Sequence, residues 1–285
     1  MKSKQSLSNF KQFAFKKIGY QVLSNTAIPQ PLLFNDKEFV KIIFLESGAS
    51  ITIDFEDYHL KQDAFFFVNS SQHYKIKNNC AGTILYYNID FYCVEIHDKE
   101  VSCDGILFNN VYEIPVVFMN AASSSSLQNI LNEIKLEIET EDIATEEMLR
   151  TLLKQIIIKC TRIWKILHQL QNHEAIPEVE FSRIFSRLVE NNYLQFHTVA
   201  QYATLLNISP KALNKRITRY SNTTPNDIIK NRIMLEAKRL LVHTQLSVKE
   251  ISYQLGYEDA SYFTRFFTKQ TNTAPQSFRH QYLHN

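Results

Sequence analysis

The chain has 285 residues, 45% of them hydrophobic, with 31 Lys+Arg against 29 Asp+Glu and a net charge of +2. That length predicts two domains, and the apolar fraction is ordinary for a soluble globular protein. No apolar run reaches the ~18 residues of a membrane-spanning helix, and five glycines, none closely paired, exclude a Gly-rich phosphate loop. The first residues lack the apolar stretch and cleavage site of a secretion signal, so a cytoplasmic location with reduced thiols is expected. The small net charge hides an asymmetry: from Glu178 onward there are 14 Lys+Arg and 8 Asp+Glu, before it 17 and 21. A basic C-terminal part beside an acidic remainder points to a polyanion-binding module joined to something else.

Near the N-terminus, Phe10, Phe13, Phe15 and Ile18 fit a short strand or an arm. FVKIIFLES, ASITIDFED, AFFFVNS, QHYKIK and GTILYYNID then read as strands, broken by turn residues. FYCVEIHDKEVSCDG is less regular, a helical turn and a loop, and GILFN and EIPVVFM read as two further strands. Strands this short and this closely spaced predict a small sandwich or barrel. Phe44, Phe66, Tyr74 and Tyr86 are candidate walls of a small-molecule pocket, or plain core. His59, His73 and His97 are scattered with no His-x-His pair, so neither a metal nor a cofactor is expected, and a metal-dependent enzyme is the weaker alternative. Cys80, Cys93, Cys103 and Cys160 show no CxxC spacing; Cys93 and Cys103 are the pair to consider for redox sensing.

At Ser123 the period changes. Ser123–Ser126 offer an N-cap, and Leu127, Ile130, Leu131, Ile134 and Ile138 follow at helical spacing. After the polar break 139–142, a second helix carries a broad stripe from Met148 to Leu170. Two helices so closely connected pack antiparallel. The stripe exceeds what one partner helix covers, so it packs on a second subunit or on the β domain. The expected organisation is a β sensor domain at 1–122, a helix pair at 123–172, a linker at 173–180 and a helical domain at 181–285.

That last domain repeats itself. Thr198-Val199-Ala200-Gln201 matches Ser247-Val248-Lys249-Glu250 at an offset of 49, and Leu213, Lys215, Ile217 and Pro225 match Phe263, Arg265, Phe267 and Pro275 at an offset of 50. Each copy opens on a capping box, Thr198 with Gln201 and Ser247 with Glu250. A short helix, a turn and a second helix follow, capped by Ser209 before Pro210 and by Asp259, which is the helix-turn-helix plan. Asn222 and Asn272 are expected as left-handed helix ends. Between the copies a helix of ~20 residues spans ~30 Å, close to the ~34 Å between successive major grooves on one face of DNA. Leu213, Ile217, Phe263 and Phe267 face inward. The opposite faces carry Lys211, Asn214, Lys215 and Thr218, and Ser261, Thr264, Arg265 and Thr268, residue types that read base edges. Arg216, Arg219, Lys230, Arg232, Lys269 and Arg279 are assigned to phosphates.

The stretch SVKEISYQLGYEDASYFTRFFTKQTNTAPQSFR, with ISPKALNKRI and RIMLEAKRLL before it, resembles the AraC/XylS family of bacterial transcription regulators. The likeness covers about 100 residues; Ser252, Asn222, Asn272 and Arg216 depart from the usual residue types. It implies an α+β chain in which an N-terminal cupin-like β-barrel and a helical dimerisation element precede two helix-turn-helix units. It further implies double-stranded DNA and RNA polymerase as partners, a small effector in the β domain, and a homodimer that activates transcription at paired sites. The alternatives are a regulator without a small ligand and a metal-dependent cupin enzyme fused to a DNA-binding domain.

Overall fold

The computed structural model describes residues 9–24, 38–70, 72–77, 80–93, 107–108, 115–167, 176–219 and 223–283. The chain divides into two compact units, 1–171 and 172–285. The first unit's strands are β1 (Phe10–Phe13), β2 (Lys16–Leu23), β3 (Phe39–Leu45), β4 (Ser50–Ile53), β5 (Glu56–His59), β6 (Ala64–Val68), β7 (Tyr74–Ile76), β8 (Gly82–Asn88) and β9 (Val116–Phe118). They pair antiparallel in two sheets, ordered β1-β2-β8-β3-β6-β9 and β5-β4-β7. Among the described residues the pairing does not close into the expected barrel.

The run FVKIIFL in β3 is apolar almost throughout because both its faces are covered, as in any strand at the centre of a layered structure. Ile42 and Phe44 face the helices, whereas Ile43 and Leu45 face the smaller sheet. The neighbouring strands repeat the alternation: Phe65, Phe67, Leu85 and Tyr87 lie on the helix side, Phe66, Val68 and Ile84 on the other. Lys41 is the charged exception, only 1% exposed, with its ammonium 5.8 Å from the centre of the Tyr74 ring. ASITIDFED, expected as one strand, is the β4–β5 hairpin, because Asp54 takes φ 52° and its carboxylate accepts from the His73 N–H at 3.1 Å. Aspartate is one of the few non-glycine residues that tolerates this backbone. Of GILFN only Leu107 and Phe108 are described, and they form a turn; the irregular stretch beyond Cys93 lies outside the described residues.

Two helices complete the unit, α1 (Ala121–Glu139) and α2 (Thr145–Leu167). The N-cap is Asn120, whose side chain accepts from Ser123 N–H at 2.8 Å, so the serine run expected as the cap forms the first turns instead. Buried Ser124 donates to Asp63 at 2.6 Å and pins the helix start to the loop before β6. Leu149, Leu152, Leu153, Ile156, Ile157, Cys160 and Trp164 all belong to one core with α1 and the six-stranded sheet. The stripe on α2 is therefore covered within the unit from Leu149 to Trp164, while Met148 and Leu167 at its two ends stay exposed.

The second unit holds α3 (Ile176–Asn192), α4 (Val199–Leu205), α5 (Pro210–Thr218), α6 (Pro225–His243), α7 (Val248–Gln254), α8 (Ala260–Thr271) and α9 (Pro275–Leu283). α3 begins inside the stretch expected as linker. Among the described residues no helix is long and apolar enough to cross a membrane.

The core assignment of α2 is tested at Ile156, fully buried. Ile156→Ala removes packed methyl groups and should cost ~2–5 kcal/mol in urea unfolding; a loss below ~1 kcal/mol would place the stripe outside the core.

Candidate nucleic-acid interface

Both helix-turn-helix units are built by their caps. In α4, Gln201 N–H donates to Thr198 Oγ1 at 3.4 Å while Thr198 N–H donates to Gln201 Oε1 at 3.0 Å. In α7, Glu250 N–H donates to Ser247 Oγ at 3.2 Å and Ser247 N–H returns to Glu250 Oε2 at 2.7 Å. The turns repeat as closely: Ile208 N–H reaches Ala203 O at 3.0 Å, and Tyr257 N–H reaches Ser252 O at 2.9 Å. Each turn needs one left-handed residue, Asn207 at φ 53° in the first and Gly256 at φ 80° in the second. Ala203 and Ser252 are small and buried where the helices cross, and the Ser252 hydroxyl is satisfied by Lys249 O at 2.7 Å. Ser209 caps α5 through Ala212 N–H at 3.1 Å, and Asp259 caps α8 through Ser261 N–H at 2.8 Å. That backbone N–H holds the Asp259 carboxyl below its usual pKa. Asn272 takes the left-handed end expected of it, φ 55°, whereas Asn222 lies outside the described residues.

Leu213, Ile217, Phe263 and Phe267 are buried as expected. On the opposite faces Lys211, Lys215, Thr218, Ser261 and Arg265 are exposed, and Asn214, Thr264 and Thr268 half-buried. Thr218, Thr264 and Thr268 each donate to the carbonyl four residues back, at 2.8, 2.9 and 2.8 Å, and Asn214 Nδ2 donates to Pro210 O at 3.0 Å. With their protons engaged, the threonines present lone pairs, which suit the amino groups of adenine or cytosine. Arg265 reaches 4.0 Å from Asp259 across the start of α8, a contact between exposed groups. Tyr262, 57% exposed beside Ser261, was not among the expected contacts; it stands outside the Phe263/Phe267 core face, which is the pattern that marks it.

The residues assigned to phosphates divide. Arg219 and Lys269 are exposed and Lys230 half-buried. Arg216 lies flat on the Phe181 ring at 3.6 Å, which explains how α5 accommodates it. Arg232 is corrected: it is 4% exposed, donates to Glu190 on α3 at 2.9 Å and to Glu236 at 3.1 Å, and stacks on Tyr193 at 3.8 Å. A guanidinium so enclosed bridges α3 to α6 and cannot reach a backbone phosphate. Arg279 is corrected likewise, since it donates to the carbonyls of Leu241, at 2.8 Å, and Leu246, closing the end of α6.

α6 joins the two units over 19 residues, ~28 Å at 1.5 Å per residue. It packs against α3, α4 and α5 and against α7 and α9. A second connection runs between the units directly. A Cβ on Gly256 would lie 2.0 Å from Leu194 O, in the link from α3 to α4, so the second turn touches the first unit's backbone. His197 in the same link packs against Tyr257, ring centres 4.7 Å apart and planes tilted by 39°. Burial holds the His197 pKa below its usual value, outweighing the hydrogen bonds of its ring to the Leu255 and Tyr193 backbone.

The candidate effector aromatics do not converge. Phe44 lies in the core beneath the helices, Phe66 in the core between the sheets with Tyr74 packed against that core. Tyr86 meets Phe39 edge-on at 5.4 Å, and burial pushes its pKa up to about 12. Of the scattered histidines, His59 pairs with Ser50 at 2.9 Å, while His97 and Cys103 lie outside the described residues. Burial raises the Cys160 thiol pKa.

The Arg232 correction makes a prediction. Arg232→Met should lower the melting temperature yet leave the slope of log Kd against log salt unchanged; a lost phosphate contact would reduce that slope by about one.

A family described as helix-turn-helix domain matches residues 202–281. The chain is 20% identical to the transcriptional activator RhaR of Salmonella dublin over 249 residues, 85% of each chain. It is 22% identical to the lactose operon transcription activator of Staphylococcus xylosus over 233 residues, 81% of this chain and 79% of that one. Among solved structures it resembles the C-terminal domain of the response regulator yesN from Fusobacterium nucleatum, 28% identical over 34% of this chain and 94% of that one, with a TM-score of 0.32. It also resembles ToxT of Vibrio cholerae, 13% identical over 96% and 98%, with a TM-score of 0.42. The chain is thus similar over most of its length to activators of transcription, and its C-terminal part matches the helix-turn-helix domain family.

Proposed function

We propose that the chain is a sequence-specific activator of transcription that binds double-stranded DNA through both helix-turn-helix units, with α5 and α8 each reading one subsite. The observation that carries this is the pair of capped helices whose cores are apolar and whose outer faces hold Lys211, Lys215 and Arg265 in the open. Arg219, Lys230 and Lys269 hold the phosphates and set affinity without sequence information. Relatives that match over most of their length are named as activators, one of a lactose operon, which supports regulation over catalysis.

The β-rich part, 1–122, senses a small effector, and the helix pair, 123–172, passes its state on through the linker 173–180 to the DNA-binding domain, 181–285. The active form is a cytoplasmic homodimer on paired sites, in contact with RNA polymerase. Leu136, Ile143, Met148 and Ile166, exposed on or between α1 and α2, support a second copy at the helix pair.

Lys215→Ala and Arg265→Ala should each weaken binding to the cognate site by ~1–3 kcal/mol and relax base preference at different positions. The measurement is selection of bound sequences followed by titration on the preferred site. Unchanged affinity and unchanged base preference in both variants would sink the base-contact assignment.

A further inference from the structure

The two recognition helices match each other in more than their caps. At an offset of 50 residues Asn214 falls on Thr264, Lys215 on Arg265 and Thr218 on Thr268. The match extends to the bonds these side chains make. Asn214 Nδ2 donates to Pro210 O at 3.0 Å, and Thr264 Oγ1 donates to Ala260 O at 2.9 Å. Thr218 Oγ1 donates to Asn214 O and Thr268 Oγ1 to Thr264 O, both at 2.8 Å. In each helix two side chains one turn apart therefore give a proton to their own backbone and keep an oxygen as acceptor. The threonines have no other donor, whereas Asn214 retains one N–H. Between the two oxygens comes a cation, Lys215 or Arg265, exposed and carrying donors only. The order oxygen, cation, oxygen is thus the same in α5 and α8. The helices differ in the first turn, where Lys211 and Ala212 correspond to Ser261 and Tyr262.

In the major groove a cation donates to guanine O6 and N7, and an oxygen accepts from adenine N6 or cytosine N4. Every base pair carries one amino group and one keto oxygen in that groove, on opposite strands. An acceptor-only side chain therefore reads which strand holds the amino group. It admits A or C on the strand it faces and rejects G or T.

We infer that the DNA site read by one chain is an imperfect repeat of itself: a guanine with A or C at a fixed position from it, once under α5 and again under α8. The inference rests on the reading of both helices as base-contacting and adds the pattern they select. Lys215 and Arg265 take the two guanines, and Thr218 and Thr268 take the two amino groups. The 19 residues of α6 separate the copies, and the exchange of Lys211 for Ser261 is where the copies differ. This repeat lies inside the site of a single chain, whereas pairing of sites by a homodimer repeats the whole site.

The test is selection of bound sequences from random DNA with the full chain, its Thr218→Val and Thr268→Val variants, and the corresponding serine variants, each checked for folding by its melting curve. The selected site should hold two copies of the pattern about one helical turn apart, ~10–10.5 base pairs. Thr218→Val should reduce the preference for A or C over G or T several-fold at one position of one copy, and Thr268→Val at the matching position of the other. Thr218→Ser and Thr268→Ser, which keep the oxygen, should keep the preference. A selected site without the shared pattern, or preferences unchanged in both valine variants, overturns the inference. So does one valine variant that relaxes both copies together, because the repeat would then come from two chains. Enrichment of no sequence at all would instead reject sequence-specific binding, the reading on which the repeat rests.

Discussion

Arg232 is the interaction on which the C-terminal unit depends. Taking a guanidinium out of water is costly unless carboxylates receive it with good geometry, and removing one partner leaves the other stranded. Glu190 on α3 and Glu236 on α6 provide that reception, with Tyr193 closing the face of the guanidinium. The bridge therefore has few alternative arrangements, and it fixes α3 against the helix that separates the two helix-turn-helix units. At the other end Arg279 closes the carbonyls around Leu241 and Leu246. The contact of Gly256 with Leu194 and the packing of His197 against Tyr257 then join the second turn to the link before α4. The spacing of the recognition helices is thus set by a buried rod and a direct contact together.

In the N-terminal unit the governing constraint is coverage. The central strands are apolar on both faces, so the six-stranded sheet must find a layer for each. The three-stranded sheet supplies one and the α1–α2 pair the other. This arrangement leaves α1 lying across the ends of β2, β3 and β8, where a cavity of about 210 Å³ with a mixed polar and apolar lining opens.

Local features of the C-terminal unit were legible in the sequence, because capping is local chemistry. Thr198 with Gln201, Ser247 with Glu250 and Ser209 before Pro210 act within three residues of themselves, and each forms the bond expected of it. Arg232 and Arg279 were not legible. Both sit among basic residues in a basic domain, and whether an arginine points outward or bridges two helices depends on partners distant in the chain. The same holds for Gly256, whose turn role could be read but whose neighbour Leu194 could not. In the N-terminal unit, strand existence was legible from β-branched and aromatic runs. Where strands break was less so, because Asp54 turns the chain in the middle of an alternating pattern. The four aromatic candidates for the effector site lie in different places for a related reason: successive strand residues face opposite sides, and without the register nothing distinguished the side of Phe44 from that of Phe66.

The central claim is that two recognition helices are held at one spacing. It is tested most directly by measuring affinity for DNA in which the distance between the two subsites is varied in single base pairs, from about 5 to about 16. The account predicts one maximum near one helical turn, ~10–10.5 base pairs, with affinity falling toward that of a single subsite when half a turn is added or removed. Affinity independent of spacing would contradict it, because only a flexible connection tolerates both faces of the helix equally.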